Sequence, residues 1–162
     1  MSIPTKLASF LKKNKMYYQV LVHPETFTAC EEAEKEHVCG HEVAKVVMAK
    51  AGGKDVMLVL PSTRTVDLLK LSAVMNVPDV RIEEEKEFKD LFPDCETGMM
   101  PPFGKLYHLP CLVDESLWAA GSIVFRAGSC EESVKVFAED FFRVTDGRVC
   151  DFSIKGKKLV AA

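Results

Sequence analysis

The segment that most restricts how this chain can fold is residues 96–104, Glu-Thr-Gly-Met-Met-Pro-Pro-Phe-Gly, where two glycines flank two adjacent prolines. Pro101 and Pro102 have no N–H to donate and a fixed φ, so the segment cannot join a helix interior or a central strand. Gly98 and Gly104 allow positive φ and close approach of a ligand to the main chain. The segment is therefore a rigid loop with an exposed-looking Phe103. From its residues alone, it is either a pocket rim or a stiff connection between two elements.

Length and composition favour one globular domain over residues 1–162. A chain of this size buries roughly 70% of its unfolded surface, so its core needs no cross-links. Hydrophobic residues at 48% and charged residues at 28% are ordinary for a globular protein. The sequence contains no apolar run of about 18 residues and no signal-peptide pattern. We expect a cytoplasmic protein with no membrane association and a flexible tail from about residue 155.

The cysteines are spaced singly, without a Cys-x-x-Cys pair and without a neighbouring histidine cluster. This spacing predicts no zinc site. With no secretion signal and a sufficient core, reduced and mostly buried thiols are expected rather than disulfides. The six are Cys30, Cys39, Cys95, Cys111, Cys130 and Cys150.

The charge balance argues against a protein that coats nucleic acid by bulk electrostatics, because the net charge is −3 and the pI is about 5.8. Local basic clusters could still bind the phosphates of the last nucleotides of an RNA. The alternative is that the first and last clusters are solvated lysines on a helix face and a tail. The clusters are Lys6, Lys12, Lys13 and Lys15, then Lys45, Lys50 and Lys54, and finally Lys155, Lys157 and Lys158.

Hydrophobic periodicity and turn residues predict the elements. Gly52-Gly53 is the expected turn of a β-hairpin, and Thr65 is expected to cap a helix that buries Leu68, Leu69 and Leu71. In chain order we predict helix 4–15, strand 17–22, helix 28–37 opened by Thr28 and Glu31, strands 43–50 and 56–60, helix 65–76, strand 80–82, helix 83–91, strand 106–113 broken by Pro110, strand 122–126, a helix opened by Ser129 and Glu132, and strand 149–152.

Lys45 is unusual because its strand is apolar on both faces. In a strand over residues 43–50, Lys45 shares a face with Val43, Val47 and Ala49. An ammonium in such a face is costly to bury unless it meets an anion or loses its proton. Lys45 is therefore either a functional cation or an edge residue whose aliphatic stem packs while its ammonium reaches water.

The pair Ser129 and Glu132 matches a capping box at the start of a helix. The expected core face of this helix consists of Val134, Phe137, Ala138 and Phe141. The N-terminus of such a helix presents free N–H groups that hold an anion or an oxyanion.

Residues 98–104 read Gly-x-x-Pro-Pro-Phe-Gly, and they resemble the signature of the YbaK and prolyl-tRNA synthetase-associated domain family. Leu-Phe-Pro-Asp-Cys precedes the loop at residues 91–95, and Leu106-Tyr107 follows it. The resemblance extends from about residue 22 to residue 152. Further matching pieces are Lys45, Leu60-Pro61 with Val66-Asp67-Leu68, Asp114 after a strand, and Ala127-Gly128-Ser129.

The resemblance implies an α/β (α+β) fold with a mixed, strongly bent sheet or partial barrel surrounded by helices. It implies an aminoacyl-tRNA deacylase that hydrolyses the ester of a mischarged tRNA in trans. The expected partner is the 3′ end of aminoacyl-tRNA, with an aminoacyl-tRNA synthetase as a further partner. We expect no cofactor and no metal.

The resemblance also implies site residues. Lys45 is expected to bind the terminal phosphate or carbonyl region of the substrate, and the main chain of Gly98, Gly128 and Ser129 to contact the reacting ester and its oxyanion. His23 either lines the site or is a turn residue, and Asp114 organises the loop rather than reacts. The expected substrate contacts are Met99, Met100, Pro101, Pro102, Phe103, Cys130, His23 and Asp114.

The sequence departs from the family at Cys130, where relatives usually carry a histidine after Gly-Ser or Gly-Thr. This departure leaves a catalytically inactive module that binds tRNA or a synthetase as the alternative function. A nucleophilic thiol at residue 130 is a further hypothesis, although no paired base is visible. A thiol redox protein is disfavoured because no resolving cysteine is present.

Overall fold

The structure is a computed structural model that describes residues 3–22 and 42–156. His23 and the helix predicted from Thr28 and Glu31 lie outside these residues. The described residues form a mixed α/β fold, as expected. The helices are α1 (Thr5–Lys13), α2 (Leu68–Met75), α3 (Glu85–Phe88) and α4 (Ala138–Val144), with 3₁₀ turns at Lys89–Leu91, Gly104–Tyr107 and Glu115–Ala119.

The strands of the described residues assemble into three sheets, with the orders β5-β2-β3-β6-β9, β1-β8-β7 and β10-β4. A parallel bridge between Val43 and Val124 joins the start of β2 to β7 and so connects the first two sheets. The strands are β1 (Tyr18–Val22), β2 (Ala44–Ala51), β3 (Lys54–Pro61), β4 (Arg64–Val66), β5 (Val80–Ile82), β6 (Cys111–Asp114), β7 (Ser122–Arg126), β8 (Glu132–Phe137), β9 (Arg148–Cys150) and β10 (Ser153–Lys155).

The β2–β3 hairpin confirms the strongest local prediction. Its turn is Gly52-Gly53, with φ of 57° and 82°, values that glycine adopts without strain. From Val56 onward β3 is buried, because β2 covers one edge and β6 the other. Helix α1 also lies where its periodicity predicts, with Leu7, Phe10 and Leu11 buried.

Phe103 lies at the centre of the core, so the expectation that it is exposed is wrong. Its side chain is fully buried. Its ring centroid lies 4.8 Å from that of Phe10, 5.5 Å from that of Phe125 and 5.6 Å from that of Phe141. The proline loop therefore inserts an aromatic anchor between α1, β7 and α4.

The predicted helix at Ser129 and Glu132 is wrong, because Glu132–Phe137 is strand β8 and the following helix starts at Ala138. Val134 and Val136 are buried, whereas Phe137 is exposed, which is the alternation of a strand. β8 pairs with β1 on one edge and with β7 on the other, and these ladders provide partners for its main-chain N–H and C=O groups. Ser129 consequently lies in a hairpin turn, and no helix N-terminus is available there to hold an anion.

The cap of α2 is Asp67 rather than Thr65. The Asp67 carboxylate accepts the N–H groups of Leu69 at 3.0 Å and Lys70 at 3.2 Å. Thr65 instead lies in β4, which pairs with β10. The helix buries Leu71 as predicted, but Leu69, predicted to be inside, is 85% exposed.

Two further predicted elements are shorter than expected. The helix predicted over residues 83–91 is limited to Glu85–Phe88 and a 3₁₀ turn, and Glu83 is buried before it. The strand predicted over residues 106–113 begins only at Cys111, because Gly104–Tyr107 forms a 3₁₀ turn. No helix in residues 3–22 and 42–156 is long and apolar enough to span a bilayer.

Candidate functional site

The two loop segments predicted to act together are joined directly. The N–H of Gly128 donates to the carbonyl oxygen of Met99 at 2.8 Å, and the N–H of Glu96 donates to the carbonyl oxygen of Gly128 at 2.8 Å. These reciprocal bonds fix the proline loop against the turn between β7 and β8. The structure thus brings together two segments that lie about thirty residues apart in the sequence.

The turn at residues 127–131 depends on Gly128. Its φ is +95°, and a Cβ at this position would lie 2.7 Å from Cγ of Pro4. A guanidinium nitrogen of Arg126 donates to the carbonyl oxygen of Cys130 at 3.2 Å. The N–H of Glu131 donates to Oγ of Ser129 at 3.3 Å, which closes the turn.

The proline loop presents only part of its length to solvent. Gly98 is exposed, has φ of +84° and has open space where a Cβ would project. Met99 is half-buried, whereas Met100 belongs to the core with Phe103. The buried members are Met100, Pro101, Pro102 and Phe103. Gly98 and Met99 are therefore the loop residues that a ligand can contact. The buried residues that follow them anchor the loop in the core.

Lys45 is half-buried on β2, directly opposite Leu60 of β3. Residues directly opposite in a ladder share a face, and Leu60 packs with Leu58 and Phe152. Met100 and Phe103 pack in the larger core cluster on the other face of this hairpin. Lys45 therefore does not share a sheet face with the buried half of the proline loop.

Lys45 does share a side with Arg126, a residue that the sequence reasoning missed. Val43 bridges Val124 in parallel register, and two residues further along the two strands lie Lys45 and Arg126. Arg126 is 8% exposed, and Ser133 lies opposite it in the β7–β8 ladder. The sequence feature that could have identified Arg126 is the one used for Lys45, a charged residue in a largely apolar strand. Two cations on the same side of neighbouring strands suit an anionic ligand such as a phosphate.

Asp114 is fully buried at the end of β6, where it organises local structure. Its carboxylate accepts the N–H and the hydroxyl of Ser116 and, at 3.1 Å, the N–H of Phe152. Nε of Arg64 lies 3.8 Å from the same carboxylate. Among the described contacts, none connects Asp114 to the proline loop or to the turn.

The thiols near the proline loop are poor nucleophiles. Burial raises the pKa of Cys95 to about 11 and that of Cys111 to about 12. Burial also raises the pKa of Tyr107, whose hydroxyl donates to the Asp94 carboxylate at 3.1 Å. Cys130 donates its S–H to the Glu96 carboxylate at 3.3 Å. Among the described residues, no group of three acidic, histidine or cysteine side chains could hold a metal ion.

Solved structures share this fold. A hypothetical protein, APE2540, aligns with a TM-score of 0.81 and 19% identity over 92% of this chain and 99% of that one. A candidate trans-editing enzyme for prolyl tRNA synthetase aligns with a TM-score of 0.81 and 19% identity over 94% and 99%. A candidate signal transduction protein from Marinobacter aquaeolei VT8 aligns with a TM-score of 0.76 and 15% identity, over 95% of this chain but 31% of that one.

Sequence comparison identifies the family. None of the curated proteins compared with this sequence matches it. The family model of the aminoacyl-tRNA editing domain, in contrast, matches residues 23–144. That range contains Lys45, the proline loop, the turn at Gly128 and Arg126. Because the match covers most of the sequence, this chain belongs to the aminoacyl-tRNA editing domain family.

Proposed function

We propose that the protein is a free-standing aminoacyl-tRNA deacylase that hydrolyses the ester of a mischarged tRNA in trans. The observation that carries the proposal is the pair of 2.8 Å main-chain bonds that lock the proline loop to the Gly128 turn. The family membership supports aminoacyl-tRNA as the substrate class, and in this proposal the protein binds its 3′ end.

The chemistry required is modest, because an aminoacyl ester is already activated. Hydrolysis needs a positioned water, stabilisation of the developing oxyanion and a fitted pocket. Within the described residues, the main-chain N–H groups of Gly98 and Ser129 donate to no protein acceptor, which leaves both for the ester carbonyl. In this scheme Lys45 and Arg126 bind the terminal phosphate, and Met99 forms part of the wall around the amino-acid side chain.

The test is release of amino acid from a panel of charged tRNAs by the wild-type protein and by Lys45→Ala. We expect turnover on at least one mischarged tRNA and at least a tenfold lower kcat/KM for Lys45→Ala. Lys54→Ala is the matched control, because Lys54 is exposed at the far end of the same hairpin. Equal loss in the two variants would contradict the role of Lys45.

A catalytically inactive module that binds tRNA or a synthetase is the second candidate. It is favoured by one observation, the replacement of the usual family histidine by Cys130, whose thiol donates to Glu96. A wild-type protein that binds tRNA but releases no amino acid from any member of the panel would establish this candidate instead.

A further inference from the structure

Two exposed aromatic rings lie side by side at one end of the three-stranded sheet β1-β8-β7. Tyr17 is 74% exposed and Phe137 is 55% exposed. Their ring centroids lie 6.0 Å apart, and the two planes are inclined by 29°. Exposed aromatic rings that lie together, unlike single ones, indicate an interaction surface on which another planar group can stack.

A small cleft of about 100 Å³ opens beside the two rings. Apart from the rings, the residues that line it are Gln19, Ser122, Lys135 and Val136. Its volume is well below the roughly 300–1,000 Å³ of a pocket that encloses a whole small molecule, so it suits a single planar ring. The amide, hydroxyl and ammonium groups of its polar residues can form hydrogen bonds with the edge of such a ring.

The ladder register places this cleft on the same face of the sheet as Arg126. Residues directly opposite each other in an antiparallel ladder share a face. The opposite pairs on this face are Ser122 with Phe137, Val124 with Lys135, and Arg126 with Ser133. Phe137 is four residues from Ser133 along β8, a distance of about 13 Å at about 3.3 Å per residue. Lys135 lies midway between the aromatic rings and Arg126.

The charges on this face are positive. The charged residues of β1, β7 and β8 are Arg126, Lys135 and Glu132. Glu132 is on the opposite face, because it precedes Ser133 directly in the strand. Lys135 is half-buried and has no hydrogen-bond or ion-pair partner in the described part of the chain. Two cations and no carboxylate on this face of the three strands complement the phosphates of a nucleic acid.

The spacing along the face fits a short single strand of RNA. Neighbouring nucleotides stacked in one strand are about 3.4 Å apart, so about 13 Å corresponds to at most about four nucleotides. A strand whose terminal phosphate lies at Lys45 and Arg126 therefore reaches the rings with a base close to its 3′ end. A protein partner would use the two rings but would leave the cations between them and Arg126 without a role.

We propose that this cleft binds the base of an unpaired nucleotide just before the 3′ terminus of tRNA, a role that rests on the proposed function. The base stacks on Tyr17 and Phe137, and Lys135 binds a phosphate between that base and the proposed ester site. Because every base has a π face, this contact selects single-stranded RNA over a duplex and tolerates different sequences.

The probe is an uncharged RNA hairpin with a 3′ overhang of four nucleotides and a fluorescent dye in its loop. Anisotropy measures the Kd. A second hairpin without the overhang, and a third whose overhang keeps its phosphates but lacks the bases before the terminal nucleotide, should each bind the wild type at least about fivefold more weakly. Equal affinity for the three hairpins would overturn the proposal.

Variants of the two rings locate the site. Tyr17→Ala and Phe137→Ala should each weaken binding of the overhang hairpin by at least about fivefold, because each removes a stacking surface. Trp118→Ala is the matched control, since Trp118 is also exposed but stacks on Phe142 and does not line the cleft. Equal weakening in Trp118→Ala would overturn the assignment.

The hairpin that lacks the bases tests the stacking itself. Phe137→Ala should cause no further loss of affinity for it, because the ring and the base act as a pair. An equal loss on both hairpins would overturn the stacking contact. Sedimentation velocity of the wild type and Phe137→Ala tests the competing role of the rings. A change in oligomeric state with unchanged RNA affinity would assign them to a protein interface instead.

Lys135→Gln tests the phosphate contact. It should reduce the slope of log K against log salt concentration by about 0.7, the value for one phosphate contact to a single strand. Lys54→Gln, at an exposed lysine of the β2–β3 hairpin, should leave the slope unchanged. Equal slopes in Lys135→Gln and the wild type would overturn the contact. The hairpins carry no ester, so these results do not depend on deacylase activity, and their failure would leave the deacylation test intact.

Discussion

The N–H of Gly128 donates a 2.8 Å hydrogen bond to the carbonyl oxygen of Met99, and this bond joins the β7–β8 turn to the proline loop. Gly128 accepts in return from Glu96, so the two segments hold each other. Pro4 at the start of α1 packs against the same glycine. The geometry of the proposed ester site therefore depends on a contact with the N-terminal helix, far from the site in sequence.

Replacing Gly128 by alanine should cost more stability than replacing Gly98. Both have positive φ, which costs an alanine about 1–2 kcal/mol. Only at Gly128 does the new Cβ also meet Pro4, at 2.7 Å, so its total cost should reach about 3 kcal/mol. Urea denaturation measures the free energy of unfolding of the two variants. Combining Pro4→Ala with Gly128→Ala should recover most of the stability that Gly128→Ala loses beyond Gly98→Ala. Equal costs for the two single variants would show that the Pro4 contact is unimportant.

Cys130→Ser should keep kcat/KM within about threefold of the wild type, because the Cys130 thiol donates its S–H to the Glu96 carboxylate and the proposed hydrolysis uses a positioned water. Amino-acid release from the best charged tRNA is the measurement. Cys150→Ser, at another half-buried thiol, is the control. A selective loss in Cys130→Ser would indicate thiol chemistry in place of a positioned water.

Phe103→Leu should lower the free energy of unfolding by about 1–2 kcal/mol, because Phe103 is fully buried among three other rings. Phe137→Leu, at a ring that is 55% exposed, should cost less than about 0.5 kcal/mol. Where Phe103→Leu is folded, it should retain deacylation. A drop in kcat/KM of more than about tenfold for Phe103→Leu would show that this ring contacts the substrate.

Glu83 should make stability depend on pH. Burial raises the pKa of its carboxyl from 4.5 to about 7, and the neighbouring Asp55 raises it further than Lys50 lowers it. Neither carboxylate oxygen has a hydrogen-bond partner among the described residues. Because the folded state then holds a proton that the unfolded state has lost, the free energy of unfolding should fall as pH rises from about 4.5 to about 7, by roughly 2–3 kcal/mol in total.

Glu83→Gln should remove this fall, and chemical denaturation across the same pH window measures it. Glu87 does not interfere, because its hydrogen bond with Arg81 lowers its pKa to about 2 and moves its contribution below this window. A fall in stability that is identical in the wild type and in Glu83→Gln would assign it to other groups, such as the histidines.

Local signals in the sequence predicted a large part of this structure. The spacing of Leu7, Phe10 and Leu11 predicted α1, and Gly52-Gly53 predicted the β2–β3 hairpin, because these elements form from residues that are neighbours in the chain. The proline loop was also identified from its residues, through the family resemblance that the match over residues 23–144 confirms. Gly128 and Ser129 were singled out in the same way, but as the start of a helix that the structure replaces with a turn and a strand.

Only the tertiary structure decided the rest. Ser129 and Glu132 match a helix cap locally, but pairing of β8 with both β1 and β7 makes the following residues a strand, and that pairing is between distant parts of the chain. The same packing buries Phe103 and places Arg126 on the same side as Lys45 of the two strands that the Val43–Val124 bridge joins. The spacing of apolar residues indicates whether a segment is a helix or a strand. Which element packs against each of its faces depends on contacts between distant parts of the chain, and no local pattern contains that information.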